Sequence, residues 1–149
     1  MGGVVNTDSG DVTGRELFLV SRNGLIEQIT HLGDSTYIWA SSHSWSPDGR
    51  YIALYLIPVD GSNDGARLAV LDTETKILTD FCVVVHAQDD GFDRWPSAPI
   101  WSPDGKQLLL VDQYSVYYSQ VIWVDIENGI AAQLADDSTA AGWMLLPSE

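Results

Sequence analysis

The stretch SWSPDGRYIAL, Ser44 to Leu54, occurs a second time in this 149-residue chain, in similar form, as IWSPDGKQLLL, Ile100 to Leu110. Trp45 and Trp101 lie 56 positions apart, and a further Trp precedes each of them by six positions. Self-similarity at a fixed period indicates that one structural unit is repeated along the chain. We therefore take the two stretches as the same turn followed by the same strand.

The Ser-Pro-Asp-Gly segment is typical of a tight turn between two antiparallel strands. Its proline presets the first central position of a type I turn, its aspartate suits the second, and its glycine accepts the left-handed conformation that closes a bulged hairpin. Because repeated turn aspartates hydrogen-bond to their own backbone, we expect Asp48 and Asp104 to be structural rather than catalytic. The apolar runs that follow predict central strands that are buried on both faces.

A second type of hairpin recurs in step with the first. The segments Glu16 to Thr30, Arg67 to Phe81 and Val121 to Ala135 each contain an apolar strand, a polar tip and a second strand. Two of the tips, at Asn23 and Asn128, carry the hairpin-forming pair Asn-Gly. The repeating unit is therefore four short antiparallel strands, A to D, with the Ser-Pro-Asp-Gly turn between A and B and the second hairpin forming C and D.

Four antiparallel strands per repeat describe the blade of a β-propeller, so the predicted fold class is all-β. Two complete blades, about 37–85 and 95–135, follow a lone C–D hairpin. After them Trp143 occupies the position of strand A, with no further Ser-Pro-Asp-Gly turn. We expect an incomplete ring of two complete blades with a partial blade at each end. Residues 1–15 are predicted to be a polar N-terminal segment and residues 16–149 a partial propeller.

The chain is strongly acidic, because 7 Lys and Arg stand against 21 Asp and Glu and the net charge is −14. This charge repels phosphate backbones, so nucleic acid is not expected as a partner. No stretch approaches the ~18 apolar residues of a membrane span, and the N-terminus lacks the pattern of a signal peptide. Cys82 is the only cysteine, which excludes an internal disulfide.

The two Trp-Ser-Pro-Asp-Gly turns, each followed by a cation and an apolar strand, resemble the WD40-like repeats of TolB-type β-propellers. The resemblance covers most of the chain after about residue 16. It implies the fold rather than a function, since related propellers serve as periplasmic scaffolds and as lids on prolyl-oligopeptidase-type peptidases. It also implies a periplasmic or extracellular location. Because propeller rings have about 4–8 blades, we expect either a fragment of a longer ring or a homo-oligomer that completes one.

The resemblance further implies that the A–B and C–D turns lie on one face of the ring and the B–C and D–A connections on the other. The first set is tight, whereas the second set is long, at residues 33–42, 57–66, 83–98 and 112–120. Binding residues concentrate on long loops that a rigid scaffold holds. We call this side the long-loop face and predict that it is the functional one.

The long-loop face is rich in aromatic and acidic residues, among them Asp112 and Tyr118. Tyr and Trp offer a stacking surface with one polar group, which suits sugars, peptides and cations. The candidate ligand-binding residues are Tyr37, Trp39, Phe92, Asp93, Trp95, Tyr114 and Tyr117. For Trp39 and Trp95 we favour a structural role at the start of strand A, because a feature that recurs in each blade serves the blade.

One segment, VDGSNDG from Val59 to Gly65, carries part of a calcium-loop pattern. It places Asp60, Ser62 and Asp64 at alternate positions. Position 12 of such a loop falls on Leu71 rather than on the glutamate that the full pattern requires. An ordinary turn is therefore the favoured interpretation, with Ca²⁺ as the alternative, and no other cofactor is predicted.

The sequence as a whole predicts a non-catalytic propeller module that binds a protein, a peptide or a glycan through its long-loop face. The alternative is the propeller portion of an enzyme, either a prolyl-oligopeptidase-type lid or a glycoside hydrolase. No catalytic residue is assigned, because general acid–base chemistry needs side chains that converge in space and the sequence does not show convergence.

Overall fold

The computed structural model describes residues 2–5, 16–33, 36–38, 42–58, 65–86, 96–115 and 117–144, with the side chains of residues 2–5 and 37 outside the description. The described residues form twelve strands and no helix. The strands are β1 (Gly2–Val5), β2 (Glu16–Val20), β3 (Ile26–Gln28), β4 (Thr36–Ile38), β5 (Ser44–Trp45), β6 (Tyr51–Pro58), β7 (Ala66–Asp72), β8 (Leu78–Val85), β9 (Ile100–Trp101), β10 (Gln107–Gln113), β11 (Ser119–Asp125) and β12 (Ile130–Asp136).

The strands form three antiparallel sheets. The N-terminal sheet has the order β1-β2-β3, blade 1 has the order β4-β6-β7-β8 with β5 also paired to β6, and blade 2 has the order β12-β11-β10-β9. This arrangement confirms the predicted blade of strands A to D, and β2 and β3 confirm the predicted lone hairpin. Strand β1, which pairs with β2 from Gly2↔Leu19 to Val5↔Glu16, was not predicted.

The two Ser-Pro-Asp-Gly turns have the predicted geometry. Gly49 and Gly105 have φ values of 76° and 72°, in the left-handed region that favours glycine. The N–H of Gly49 donates to the carbonyl oxygen of Ser46 at 2.9 Å, and the N–H of Arg50 donates to Oδ1 of Asp48 at 3.0 Å. The turn aspartate therefore caps its own backbone, as the sequence predicted.

Strand β6 forms the centre of the structure. Its side chains alternate between two faces, as the pleat of a strand requires. Ala53, Tyr55 and Ile57 pack in one cluster with residues of blade 2, whereas Ile52 and Leu54 pack in another with residues of the N-terminal sheet. All six residues from 52 to 57 are at most 8% exposed. This confirms the prediction of a strand buried on both faces.

Adjacent blades are linked by hydrogen bonds that repeat with the blades. The indole N–H of Trp101 donates to the carbonyl oxygen of Ser44 at 3.1 Å, and that of Trp143 donates to the carbonyl oxygen of Ile100 at 3.1 Å. Ser44 and Ile100 each directly precede the tryptophan that ends strand A. Trp143 therefore takes the place of the strand A tryptophan of a following blade.

The bounds of the predicted loops were wrong in part, because strands extend into each of the four predicted ranges. Strand A of blade 1 is divided, because β4 pairs with the end of β6 and β5 pairs with its start. Residues 36–38, predicted to lie in a loop, are therefore in a strand. Asp112, also placed in a loop, lies in β10 and is 1% exposed. In both cases pairing with a neighbouring strand extends the ladder beyond what the local pattern indicates.

Within the described residues, no helix is long and apolar enough to cross a membrane.

Candidate functional site

The structure describes only part of the predicted site. Tyr114 and Tyr117 are described with their side chains, and the backbone of Tyr37 lies in β4 opposite Ile57. The end of β6 leads into the connection 59–65, so this position is at the long-loop end of blade 1. The other candidates, for the ligand and for calcium, lie outside the described residues: Trp39, Asp60, Ser62, Asp64, Phe92, Asp93 and Trp95.

The site that is described begins with a buried carboxylate. Oδ1 of Asp112 accepts a hydrogen bond from the backbone N–H of His86 at 2.7 Å, and Oδ2 accepts one from Nε2 of Gln120 at 2.7 Å. The Nδ1 atom of His86 lies 3.0 Å from Oδ2. A charge removed from water needs such partners. Since His86 directly follows β8, the carboxylate connects the end of blade 1 to blade 2.

A phenol group is buried next to this carboxylate. Tyr55 is completely buried, and its hydroxyl oxygen has no hydrogen-bond partner among the described residues. Burial raises the pKa of this phenol, and the charge of Asp112 raises it further. The hydroxyl is therefore neutral.

An aromatic cluster lies above the carboxylate. Tyr114 follows Asp112 by two positions, and its ring centroid is 5.5 Å from that of His86. The rings of Tyr114 and Tyr118 are 6.1 Å apart and nearly parallel, with an interplanar angle of 9°. Tyr114, Tyr117 and Tyr118 are 38%, 85% and 53% exposed. We call these three residues the tyrosine patch.

The loop that carries the tyrosine patch is held by its own hydrogen bonds. The backbone N–H groups of Tyr117 and Tyr118 donate to Oγ of Ser115 at 3.1 and 3.0 Å. The N–H of Ser115 donates in turn to the carbonyl oxygen of Tyr118 at 3.2 Å. The loop is also shorter than predicted, because β10 continues to Gln113 and β11 begins at Ser119. The exposed rings therefore stand on a well-supported turn.

Carboxylates border the tyrosine patch. Gln120 is paired across the sheet with Asp112 on one side and with Asp136 on the other. The pKa of the Tyr114 phenol is raised, first by burial and then by the charges of Asp136 and Asp137. The carboxylates of Asp136 and Asp137 therefore make the electrostatic potential at the tyrosine patch negative.

Sequence reasoning missed the interaction between His86 and Asp112 and the contribution of Asp136. The two residues of the first pair are 26 positions apart and belong to different blades. No spacing rule connects them, because packing between blades brings them together. A weak signal was present for Asp112, which is a carboxylate at the end of a strongly apolar strand.

Two other features of the described residues lack the character of a site. No group of three or more His, Cys, Asp or Glu side chains in the described ranges could hold a metal ion. A groove of about 440 Å³ lies between the blades at the opposite end, where its lining includes Val70, Phe81 and Ile126. The charged pair in that lining, Lys106 and Glu127, is already joined at 3.0 Å. The groove is therefore mainly apolar and has few polar groups free to orient a ligand.

Comparison with known proteins supports the fold. No family model matches the sequence, and no curated protein matches it. Among solved structures, TolB from Acinetobacter baumannii superposes with a TM-score of 0.60 at 16% identity, over 90% of this chain and 30% of that one. The chain has a TolB-like β-propeller fold.

Other propeller-containing structures are similar to a comparable degree. An oligogalacturonate lyase in complex with manganese gives a TM-score of 0.63 at 16% identity, over 91% of this chain and 32% of that one. A prolyl endopeptidase gives 0.53 at 16% identity, over 76% and 17%. The chain thus spans at most about a third of the length of these structures. The TolB-like fold is shared by a binding scaffold and by enzymes, so function has to be argued from the site.

Proposed function

We propose that the chain is a non-catalytic binding module that engages a protein, a peptide or a glycan through the long-loop face. The observation that carries this proposal is the tyrosine patch, three exposed phenol rings on one short turn between two central strands of blade 2. Tyrosine is enriched at binding surfaces because it combines a large apolar area with a polar group and few rotatable bonds.

The support of the tyrosine patch favours binding as well. Below the loop, the carboxylate of Asp112 is 1% exposed and joins β10 to His86 and Gln120. Within the loop, Oγ of Ser115 accepts hydrogen bonds from the backbone N–H groups of Tyr117 and Tyr118. Ordering flexible side chains and loops at an interface costs about 0.5–1.5 kcal/mol for each immobilised side chain. A turn that is already held in place avoids part of this cost.

Peptide and glycan arrays probed with the labelled wild-type chain test the proposal. A variant with Tyr114→Ala, Tyr117→Ala and Tyr118→Ala is expected to lose at least about tenfold of the binding, since aromatic residues dominate interface energies. The matched control is Ile26→Ala, in the N-terminal sheet, where the side chain is 65% exposed. Equal binding by the wild type and the triple variant, with unchanged circular dichroism, would contradict the proposal.

One observation favours the alternative, that the chain is the propeller portion of an enzyme. The buried carboxylate of Asp112 orients the imidazole of His86, whose side chain is 51% exposed. A carboxylate that orients a histidine is an arrangement that a general base uses. Turnover of ester or aryl-glycoside substrates that His86→Gln abolishes would support this alternative. The same turnover in His86→Gln, or none in the wild type, would leave the binding function as the better explanation.

A further inference from the structure

We infer that the tyrosine patch binds a cationic side chain, arginine or lysine, in an exposed segment of a partner protein. This inference rests on the proposed binding function and specifies the chemistry of the partner.

The faces of the tyrosine rings offer a suitable surface. The ring of a tyrosine carries partial negative charge on its faces and attracts a cation within about 6 Å of its centroid. Tyr118 is 53% exposed and stacked on Tyr114, and Tyr117 is 85% exposed on the same turn. The ring of His86 packs against one side of the Tyr114 ring. Ring faces are therefore presented at one place on the surface.

The charge at this place is negative. Asp136 is the last residue of β12 and lies opposite Gln120 of β11, which is itself opposite Asp112 of β10, two positions before Tyr114. Asp137 follows it, with its backbone N–H bound to the carbonyl oxygen of Ser119 at 2.7 Å. Both carboxylates act on the Tyr114 phenol. Carboxylates beside exposed rings strengthen the attraction of a cation and oppose that of an anion.

The described Lys and Arg residues lie elsewhere. Arg50, Lys76 and Lys106 are at the opposite ends of the blades, and their ion pairs are with Asp72, Glu27 and Glu127. Arg67 is bound to Asp80 at 3.2 Å. It alternates with Ala66 and Leu68, which face blade 2, and so it lies on the other face of its sheet. Arg22 is at the tip of the hairpin between β2 and β3. None of these five residues, which are the Lys and Arg of the described ranges, lies at the tyrosine patch, so within those ranges its negative charge is open to a cation from a partner.

A neutral glycan is a less complete fit for the same surface. A neutral sugar can stack on the rings, but it forms no ionic interaction with the carboxylates of Asp136 and Asp137. A cationic side chain uses both the rings and the carboxylates. The net charge of −14 also favours the approach of a basic segment from a distance, in a way that salt weakens.

Isothermal titration with three peptides tests the inference. The probes are a hexapeptide of alternating glycine and arginine, the same peptide with citrulline in place of arginine, and the same peptide with glutamate. Citrulline has nearly the shape of arginine without its charge. A neutral oligosaccharide, cellohexaose, serves as a fourth probe. We expect the arginine peptide to bind at least about tenfold more tightly than the citrulline peptide, with an affinity that falls as salt rises.

Variants separate the two contributions. Tyr114→Ala with Tyr118→Ala is expected to weaken arginine-peptide binding about tenfold, whereas the corresponding phenylalanine variants keep the ring and bind within about threefold of wild type. Asp136→Asn with Asp137→Asn is expected to weaken binding severalfold and to reduce the salt dependence. Asparagine suits position 137, where φ is 49°. The control is Glu74→Gln, an exposed carboxylate at the opposite end of blade 1.

The outcomes distinguish this inference from the proposed function. Equal binding of the arginine and citrulline peptides, or binding of cellohexaose alone, overturns the cationic partner. If that binding still depends on Tyr114 and Tyr118, the binding function of the face stands. Binding of no probe overturns the cationic partner, and the array experiment then decides the binding function independently. Binding of the arginine peptide that is unchanged in the double alanine variant also overturns the inference.

Discussion

At the scale of the residue, aspartates hold the turns of this propeller through hydrogen bonds to their own backbone. Asp48 and Asp104 accept from the N–H of the residue two positions on, at 3.0 and 3.1 Å. Asp125 does the same in a C–D hairpin, at 3.0 Å. The pKa of each carboxyl is lowered, chiefly by a side-chain hydrogen bond from Ser46, Ser102 and Asn128 respectively. These three aspartates therefore have a structural role in the turns.

Asp72 makes the stability of the fold dependent on pH. The hydrogen bond from Arg50 lowers its pKa from 3.8 to about 2. A carboxyl whose pKa is lower in the folded state stabilises that state above its unfolded pKa, and this contribution is lost as the pH falls through the folded pKa. We expect the urea midpoint to fall between about pH 4 and about pH 2. Asp72→Asn should flatten this decrease and Glu74→Gln should not; an equal slope in all three proteins would contradict the assignment.

Tyr55 offers a second test at this scale. Its hydroxyl is buried without a partner among the described residues, and leaving a buried polar group unpaired costs about 1–3 kcal/mol. Tyr55→Phe removes the hydroxyl and keeps the ring, so we expect the free energy of unfolding to rise by about 1 kcal/mol. The control is Tyr51→Phe, because Tyr51 is only half-buried. A loss of stability in Tyr55→Phe would show that the hydroxyl has a partner.

At the scale of the element, the C–D hairpins of blades 1 and 2 both have a residue in the left-handed conformation four positions after the aspartate that ends strand C, but only blade 2 has a glycine there. Gly129, in the hairpin of blade 2, has a φ of 65°, and the equivalent position in blade 1 is Lys76, with a φ of 62°. The left-handed region favours glycine, because a Cβ atom meets the neighbouring carbonyl there. The Asn-Gly tip is therefore relaxed, whereas Lys76 is strained.

Replacing this lysine should stabilise blade 1. Lys76→Gly removes the strain and the exposed ion pair with Glu27, which spans 3.3 Å and contributes little. We expect the free energy of unfolding to increase by about 0.5–1 kcal/mol, net of the greater freedom of glycine in the unfolded chain. Lys76→Ala is the control, since it loses the same ion pair and keeps the strained φ. Equal urea midpoints for the two variants would show that the strain is absent.

At the scale of the whole molecule, the described sheets have unequal surroundings. Blade 1 is covered on both faces, by two clusters that meet at β6. Blade 2 shares one cluster with blade 1, but residues 130–134 of its outer strand β12 are all exposed. They include Ile130 and Leu134, which are 53% and 59% exposed. Open edges of this kind are normally paired or covered in soluble proteins.

We expect two copies of the 16.3 kDa chain to associate through this flank. Multi-angle light scattering should give twice the mass of one chain at micromolar concentration, with the two-fold symmetry that most homodimers have. Leu134→Glu should shift the mass towards one chain, because it places a charge in the apolar contact. Leu25→Glu, at a hairpin tip where the side chain is 67% exposed, should have no effect. A monomeric mass together with a cooperative melt would rule out this association.

The sequence by itself determined the blade and its turns. Ser-Pro-Asp-Gly and Asn-Gly act through backbone torsions within four residues, and the alternation of apolar side chains has the period of a strand. Both signals are local, so the repeat predicted the A–B turns, the C–D hairpins and the two-sided burial of β6. The same reasoning identified Tyr114 and Tyr117 as residues of the long-loop face.

Only the tertiary structure decided what surrounds these residues. The division of strand A in blade 1 depends on pairing with the end of β6, and the burial of Asp112 depends on His86 of the neighbouring blade. Asp136 raises the pKa of the Tyr114 phenol only because β12 lies beside β11. Such contacts join residues that are distant along the chain, and their geometry follows from how whole blades pack. Torsional preference and period carry no information about that packing, which is why the sequence could name Asp112 and the tyrosines as loop-face residues but not the contacts among them.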